Sequence, residues 1–248
     1  MPTLASLVPR LDWALFLDID GTLLDLAELP SDVVVSPDLL RSLARASDAL
    51  GGAVALISGR AIADIDLLFH PLSLPSAGIH GHELRHAGVP VSLGKSVPAE
   101  WRNQLALAVE GLPGVLVEDK EAAVAFHYRR APGTGPELRA RIGSTLTRLG
   151  ATPATTDILE GKMVFEVRQK GINKGLAVDA LMQTPPFKGR LPVFIGDDET
   201  DLDGFAAAER LGGFALPVGR DVTPGFETPE EVRQWLVALP ARIRETVS

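Results

Sequence analysis

Three short apolar runs break off at acids or at a serine: WALFLDID (13–20), GGAVALISGR (51–60) and LPVFIGDD (191–198). Their apolar parts are continuous rather than alternating, so each run would be buried on both faces once extended. Burial on both faces belongs to interior strands of a parallel sheet, and segments with helical spacing separate the runs. SPDLLRSLARASDAL (36–50) follows the first, with Ser36 as N-cap and Pro37 at the first helical position. AIADIDLLF (61–69) follows the second, and SAGIHGHEL (76–84) reads as a third strand with its turn. NKGLAVDALMQ (173–183) starts a helix ahead of the run at 191. GGFALPVG (212–219) is the last core strand, and TPEEVRQWLVAL (228–239) a closing helix capped by Thr228. The strand–helix alternation predicts an α/β fold built on a doubly wound parallel sheet.

The middle of the chain follows another pattern. AEWRNQLALAVEGL (99–112) and GPELRARIGSTLTRLG (135–150) have helical spacing. GVLVEDK (114–120) and AAVAFHY (122–128) form one strand pair, and TTDILEG (155–161) and KMVFEVR (162–168) a second around Gly161. Helix, two strands, helix, two strands predicts a small antiparallel sheet with helices on one face. The core is therefore expected over 1–86 and 171–248, with an inserted α+β domain over 87–170.

Composition narrows the function. The net charge is −8, and the densest basic cluster, HYRR (127–130), sits among acids. No nucleic-acid partner is expected from such a balance. There is no cysteine, which excludes disulfides and thiolate metal sites and fits a cytoplasmic setting. The N-terminal stretch lacks a charged region before an apolar core and does not read as a signal peptide. No apolar run approaches about 18 residues, so no membrane span is expected.

Polar residues follow strand after strand, and open parallel sheets bind ligands at the carboxyl ends of their strands. Asp18, Asp20, Ser58, Asp197 and Asp198 are thus expected in one cleft, with Asp201 close by. Carboxylates gathered without His or Cys call for a hard cation, and Mg²⁺ is the cofactor expected. Magnesium also takes phosphate oxygens, which points to a phosphorylated small molecule. Asp18, at the strand end, is the candidate nucleophile on phosphorus. Asp20 is the candidate acid and base, protonating the leaving alcohol and then deprotonating water. Gly21 allows a tight turn, and Thr22 offers an N–H and a hydroxyl to phosphate. Ser58, with Gly59 and Arg60 beside it, and Lys174 at a helix start complete the phosphate-binding set. Asp197 is the expected metal ligand. Asp201 is expected behind it, holding a metal-bound water or Lys174. Each stretch alone also fits an ordinary turn, a loop or a solvated helix start; the combination, in this order, favours one site.

Together DIDGT, SGR, NKG and GDDETD resemble the four motifs of the haloacid dehalogenase superfamily of Mg²⁺-dependent phosphatases. AGIHGHELR, VEDKEAAVAFHYRRAP and LEGKMVFEVR are similar to its trehalose-6-phosphate phosphatase branch, and the resemblance covers nearly the whole chain. It implies a haloacid dehalogenase-like core with an α/β cap, and hydrolysis through an aspartyl-phosphate. Asp18, the carbonyl of Asp20 and Asp197 would hold Mg²⁺. The cap would hold the sugar through Glu118, Lys120 and Arg129 on its first strand pair and Lys162 and Glu166 on its second. The last two, four apart on a strand, would face the same way. VEDKEA equally fits a solvated hairpin turn, and Lys162 with Glu166 a surface ion pair. His80 is expected near the cleft as a sugar contact or a loop stabiliser, and His127 as a packed histidine. The chain departs from the family at Leu202, where Glu is frequent, and at Gln169, where Pro is. A phosphatase for sucrose phosphate or mannosylglycerate phosphate, a phosphosugar mutase and a non-catalytic sugar-phosphate sensor remain as alternatives. A monomer is favoured.

Overall fold

The structure is a computed structural model and describes residues 8–26, 33–86, 88, 90–219 and 224–247. Residues 1–7, part of the stretch read for a signal peptide, lie outside the described residues. The chain begins with β1 (Trp13–Leu17), α1 (Pro37–Ala49), β2 (Val54–Ile57), α2 (Ile62–Phe69), β3 (Ser76–Gly78), β4 (Glu83–Arg85) and β5 (Val91–Ser92). It continues with α3 (Ala99–Ala108), β6 (Leu116–Asp119), β7 (Val124–His127), α4 (Gly135–Arg148), β8 (Thr156–Gly161) and β9 (Val164–Gln169). It closes with α5 (Lys174–Met182), β10 (Leu191–Gly196), α6 (Leu202–Arg210), β11 (Phe214–Pro217) and α7 (Pro229–Val247). Two compact units result: Met1–Leu93 with Asn173–Ser248, and Gly94–Ile172.

The first unit holds a seven-stranded sheet in the order β11-β10-β1-β2-β3-β4-β5. The first five strands run parallel, and β4 and β5 are added antiparallel. All residues of β1 and β2 are buried, as continuous apolar runs require. Trp13 pairs with Leu191 and Leu17 with Ile195, while Leu17 also pairs with Leu56. This register ends β1, β2 and β10 at one edge and delivers Asp18, Ser58 and Asp197 there. Ser36 caps α1 by accepting from the Leu39 N–H at 3.2 Å, and Thr228 accepts from the Glu231 N–H at 3.3 Å at the start of α7.

The edge beyond β3 differs from the single strand and turn expected at 76–84. SAGIHGHEL is two strands: the chain turns at Ile79–Gly81 and returns as β4 and β5 before leaving the unit after Leu93. The Leu93 N–H closes that extension on the His82 carbonyl at 2.7 Å. Strands of two or three residues carry too little pattern to be told from a loop. Residue 87, where the insert was expected to start, lies outside the described residues.

The second unit holds the antiparallel sheet β6-β7-β9-β8. Leu105 of α3, Val109 at its C-cap, and Leu138, Ile142 and Leu146 of α4 pack with Val124, Phe126, Phe165 and Val167. Strand alternation then turns Glu118, Ala125, His127, Glu166 and Arg168 to the opposite face. Among the described residues no helix is long and apolar enough to cross a membrane.

Gly204 of α6 is buried, and a Cβ built on it would lie 2.4 Å from Cε2 of Phe194. Alanine normally favours a helix over glycine by about 1 kcal/mol. Overpacking, at roughly 1–3 kcal/mol, outweighs it here. Gly204→Ala is therefore expected to lower the urea midpoint; an unchanged or raised midpoint would contradict the packing.

Candidate active site

Asp18 follows β1 directly, its N–H donating to the Ile195 carbonyl at 3.0 Å. Lys174 opens α5, whose N-cap Asn173 accepts from the Leu176 N–H at 2.9 Å. The Lys174 ammonium donates to Asp18 Oδ1 at 2.7 Å and to Asp201 Oδ1 at 2.6 Å. All three side chains are buried, at 2%, 5% and 0% exposure. A buried cation at a helix N-terminus opposes both solvation and the helix dipole, so the two carboxylates must carry it. Burial alone would push the lysine down, yet Asp18 and Asp201 outweigh it and hold the ammonium above its ordinary range. Burial raises Asp18 well above the usual carboxylate range; Lys174 opposes that shift and Asp201 adds to it. Burial likewise raises Asp201 against the pull of Lys174. Two acids on one ammonium leave an excess of negative charge in a closed space.

A third acid adds to it. One carboxylate oxygen from each of Asp18, Asp197 and Asp201 lies within 4.8 Å of the others, a group that could hold a metal ion. Asp201 is already spent inside the protein: Oδ1 receives Lys174, and Oδ2 receives the N–H groups of Asp197 and Asp198 at 2.9 and 3.0 Å. Hard oxygen donors from Asp18 and Asp197 at such spacing fit a cation. Gly21, at φ 88°, is the only residue type that fits beside them, because a Cβ there would lie 2.3 Å from Asp197 Oδ2. The Thr22 hydroxyl donates to Asp197 Oδ1 at 3.4 Å. Asp198 accepts from the Thr200 N–H and hydroxyl at 2.8 and 2.6 Å. Burial would raise its carboxyl, but Lys174 and the Thr200 bonds outweigh that and hold it low.

Ser58 lies just past β2 and is buried, its hydroxyl accepting the Arg60 N–H at 3.1 Å. The Arg60 guanidinium makes two bonds to Asp20, both at 2.7 Å. His80 packs over Gly59, where a built Cβ would meet its Nε2 at 2.6 Å. The first unit thus brings Asp18, Asp197, Asp201 and Lys174 into one cluster. Asp20, Ser58, Gly59, Arg60 and His80 form a second group linked by contacts of their own.

The insert residues distribute differently. Lys120, just past β6, donates to Glu166 Oε2 at 3.0 Å, and both side chains are largely buried. Glu118 bonds His127 at 2.8 Å, and that bond holds its carboxyl below the usual range. Lys162 is not on a strand: it lies in the exposed turn between β8 and β9, so the same-face argument linking it to Glu166 fails. Arg129 is exposed and lies past the end of β7 rather than on it. Sequence reasoning missed the Arg60–Asp20 pair, which left no local signal. It also passed over Arg168, buried two residues beyond Glu166 on the same face, a position that strand alternation marks.

The family profile described as Trehalose-phosphatase matches residues 16–226. The chain is 46% identical over 222 residues to a probable trehalose-phosphate phosphatase of Sinorhizobium fredii, covering 88% of this chain and 83% of that protein. It is 38% identical over 239 residues to the trehalose-6-phosphate phosphatase of Escherichia coli, covering 94% and 88%. Among solved structures, the C-terminal domain of C. albicans trehalose-6-phosphate phosphatase shares the fold, with a TM-score of 0.80 over 94% of this chain and 93% of that one at 23% identity. A profile match across both flanks of the insert, and relatives matched over most of their own length, leave one assignment: the chain belongs to the trehalose-phosphatase family.

Proposed function

We propose that this protein hydrolyses trehalose 6-phosphate to trehalose and phosphate with Mg²⁺, acting as a monomer on a small phosphosugar in the cytoplasm. The observation that carries the reading is Lys174, buried between Asp18 and Asp201 with Asp197 beside them. Asp18, Asp197 and the Asp20 carbonyl would hold Mg²⁺, which when bound neutralises the excess carboxylate charge and polarises the phosphoryl oxygens. Asp201 supports the site by orienting Lys174 and the backbone of Asp197.

In this reading an Asp18 carboxylate oxygen attacks phosphorus as the bond to the sugar oxygen breaks, and Asp20 gives that oxygen its proton. Water then attacks the aspartyl-phosphate, Asp20 takes its proton, and the phosphorus–carboxylate bond breaks to release phosphate. Lys174, Ser58, Thr22 and the N–H groups near Gly21 and Gly59 hold phosphoryl oxygens, since phosphoryl transfer depends on positioning and charge neutralisation. Arg60 directs the Asp20 carboxylate and adds positive charge. The core is residues 1–93 with 173–248, and the insert, 94–172, reads the sugar. Glu118, Lys120 and Glu166 are its main contacts, with Arg129 and Lys162 reaching from turns. Carboxylates and ammonium groups suit hydroxyls that both donate and accept.

Phosphate release from a panel of phosphosugars, with and without chelator, tests the reading. Turnover of trehalose 6-phosphate should lead the panel, stop with the chelator and return with added Mg²⁺; preference for sucrose phosphate or mannosylglycerate phosphate would overturn the substrate. Asp18→Asn should lose more than about a thousandfold in kcat while staying folded, and full activity in that variant would remove the nucleophile. Asp20→Asn should lose about 10²–10⁴-fold in kcat. Glu166→Gln should reduce kcat/KM for trehalose 6-phosphate by about tenfold or more while sparing p-nitrophenyl phosphate, since a buried partner of Lys120 is lost only to the sugar. Equal losses on both substrates would sink the sugar-reading role.

A further inference from the structure

The segment Gly78–Glu83 grips both polar loops of the first unit. Ile79 and His80 have φ of 48° and 51°, a region that L-residues avoid and a β-branched residue avoids most. Both spend that strain on the same neighbour: the Ile79 N–H donates to the Arg60 carbonyl at 2.9 Å and the His80 N–H to the Ser58 carbonyl at 3.0 Å. The His80 imidazole folds over Gly59, leaving no room for a Cβ there. A Cβ on Gly78 would lie 2.8 Å from the Arg60 carbonyl oxygen. Gly81, at φ 98°, presses on the other loop, where a Cβ would lie 2.3 Å from the carbonyl oxygen of Asn173, the cap of the Lys174 helix. Glu83 completes the grip by accepting the Ile62 N–H at 2.7 Å.

Strained backbone persists only where its surroundings over-determine it, and it gathers at functional sites. Here it holds Ser58 and Arg60 in register with the start of α5. We propose that the Ile79–His80 turn is a positioning device for the phosphate site, with His80 as its positioning residue. The imidazole sets the height of Gly59, and through Gly59 the directions of the Ser58 hydroxyl and of the Arg60 guanidinium toward Asp20. The inference rests on the phosphatase reading above and replaces a sugar contact as the role of His80.

A double-mutant cycle tests it: Gly59→Ala, His80→Ala and both together, read by steady-state kinetics on p-nitrophenyl phosphate, inhibition by inorganic phosphate, and thermal melting. Gly59→Ala should lower kcat and raise the phosphate inhibition constant, each by about ten- to a hundredfold, because the Cβ displaces the imidazole and the loop with it. Its melting point should stay within about 3 °C of wild type. The double variant should return to within about twofold of His80→Ala, since removing the ring makes room for the methyl group. His80→Asn tolerates the left-handed backbone and replaces His80→Ala if that variant does not fold. Losses that simply add in the double variant overturn the proposal. So does a Gly59→Ala protein that melts early yet keeps wild-type kcat and phosphate inhibition. The probe carries no sugar, so a wrong sugar in the reading above would leave this cycle unaffected.

Discussion

A lysine ammonium with almost no access to water, shared by Asp18 and Asp201, is the contact on which the site depends. None of the three charges is tolerable alone at that depth, because an isolated buried ion loses its hydration without return. Together they bind β1, the start of α5 and the turn before α6 to one point. The arrangement is still one charge out of balance, and Asp197 adds another. In the proposed function that imbalance would be met by a cation, which together with Lys174 would make room for an anionic phosphoryl group.

The backbone around this contact is shaped to let acids approach one another. Asp201 uses both oxygens on internal donors, so its carboxylate is a fixed strut and its neighbour Asp197 is held by its own N–H. Gly21 leaves space for the Asp197 carboxylate, and Gly196 does the same for Asp201, where a Cβ would lie 2.3 Å from the carboxyl carbon. A methyl group at either position would push a carboxylate out of line. The same economy of space recurs at Gly59 beneath His80.

The insert follows a simpler rule. One face of its sheet is apolar and covered by α3 and α4, so strand alternation sends its polar residues to the other. Lys120 and Glu166 are buried as a pair on the polar side, and Glu118 engages His127. These pairs gather donors and acceptors on the polar side of the sheet.

The continuous apolar runs at 13–17, 54–57 and 191–196 were legible as strands, and Ser36 and Thr228 as caps, because those signals are local. The acids at the strand ends were legible for the same reason, since topology alone places such ends along one edge. β4 and β5 were not, being too short to show a period. Lys162 was misread because a strand and its turn look alike until the hairpin register places the turn at 162–163. Which groups pair was beyond the sequence altogether. Lys174 and Asp18 are 156 positions apart and Arg60 and Asp20 are 40, so their contacts depend on how the strands stack. The sequence by itself determined the kinds of groups present and the strand ends that carry them. Only the tertiary structure decided that one ammonium serves two buried acids, that Arg60 turns to Asp20, and that a strained turn at Ile79–His80 holds Ser58 and Arg60 in place. Composition and spacing act within a few residues, whereas charge pairing in a buried site depends on distances that the fold alone sets.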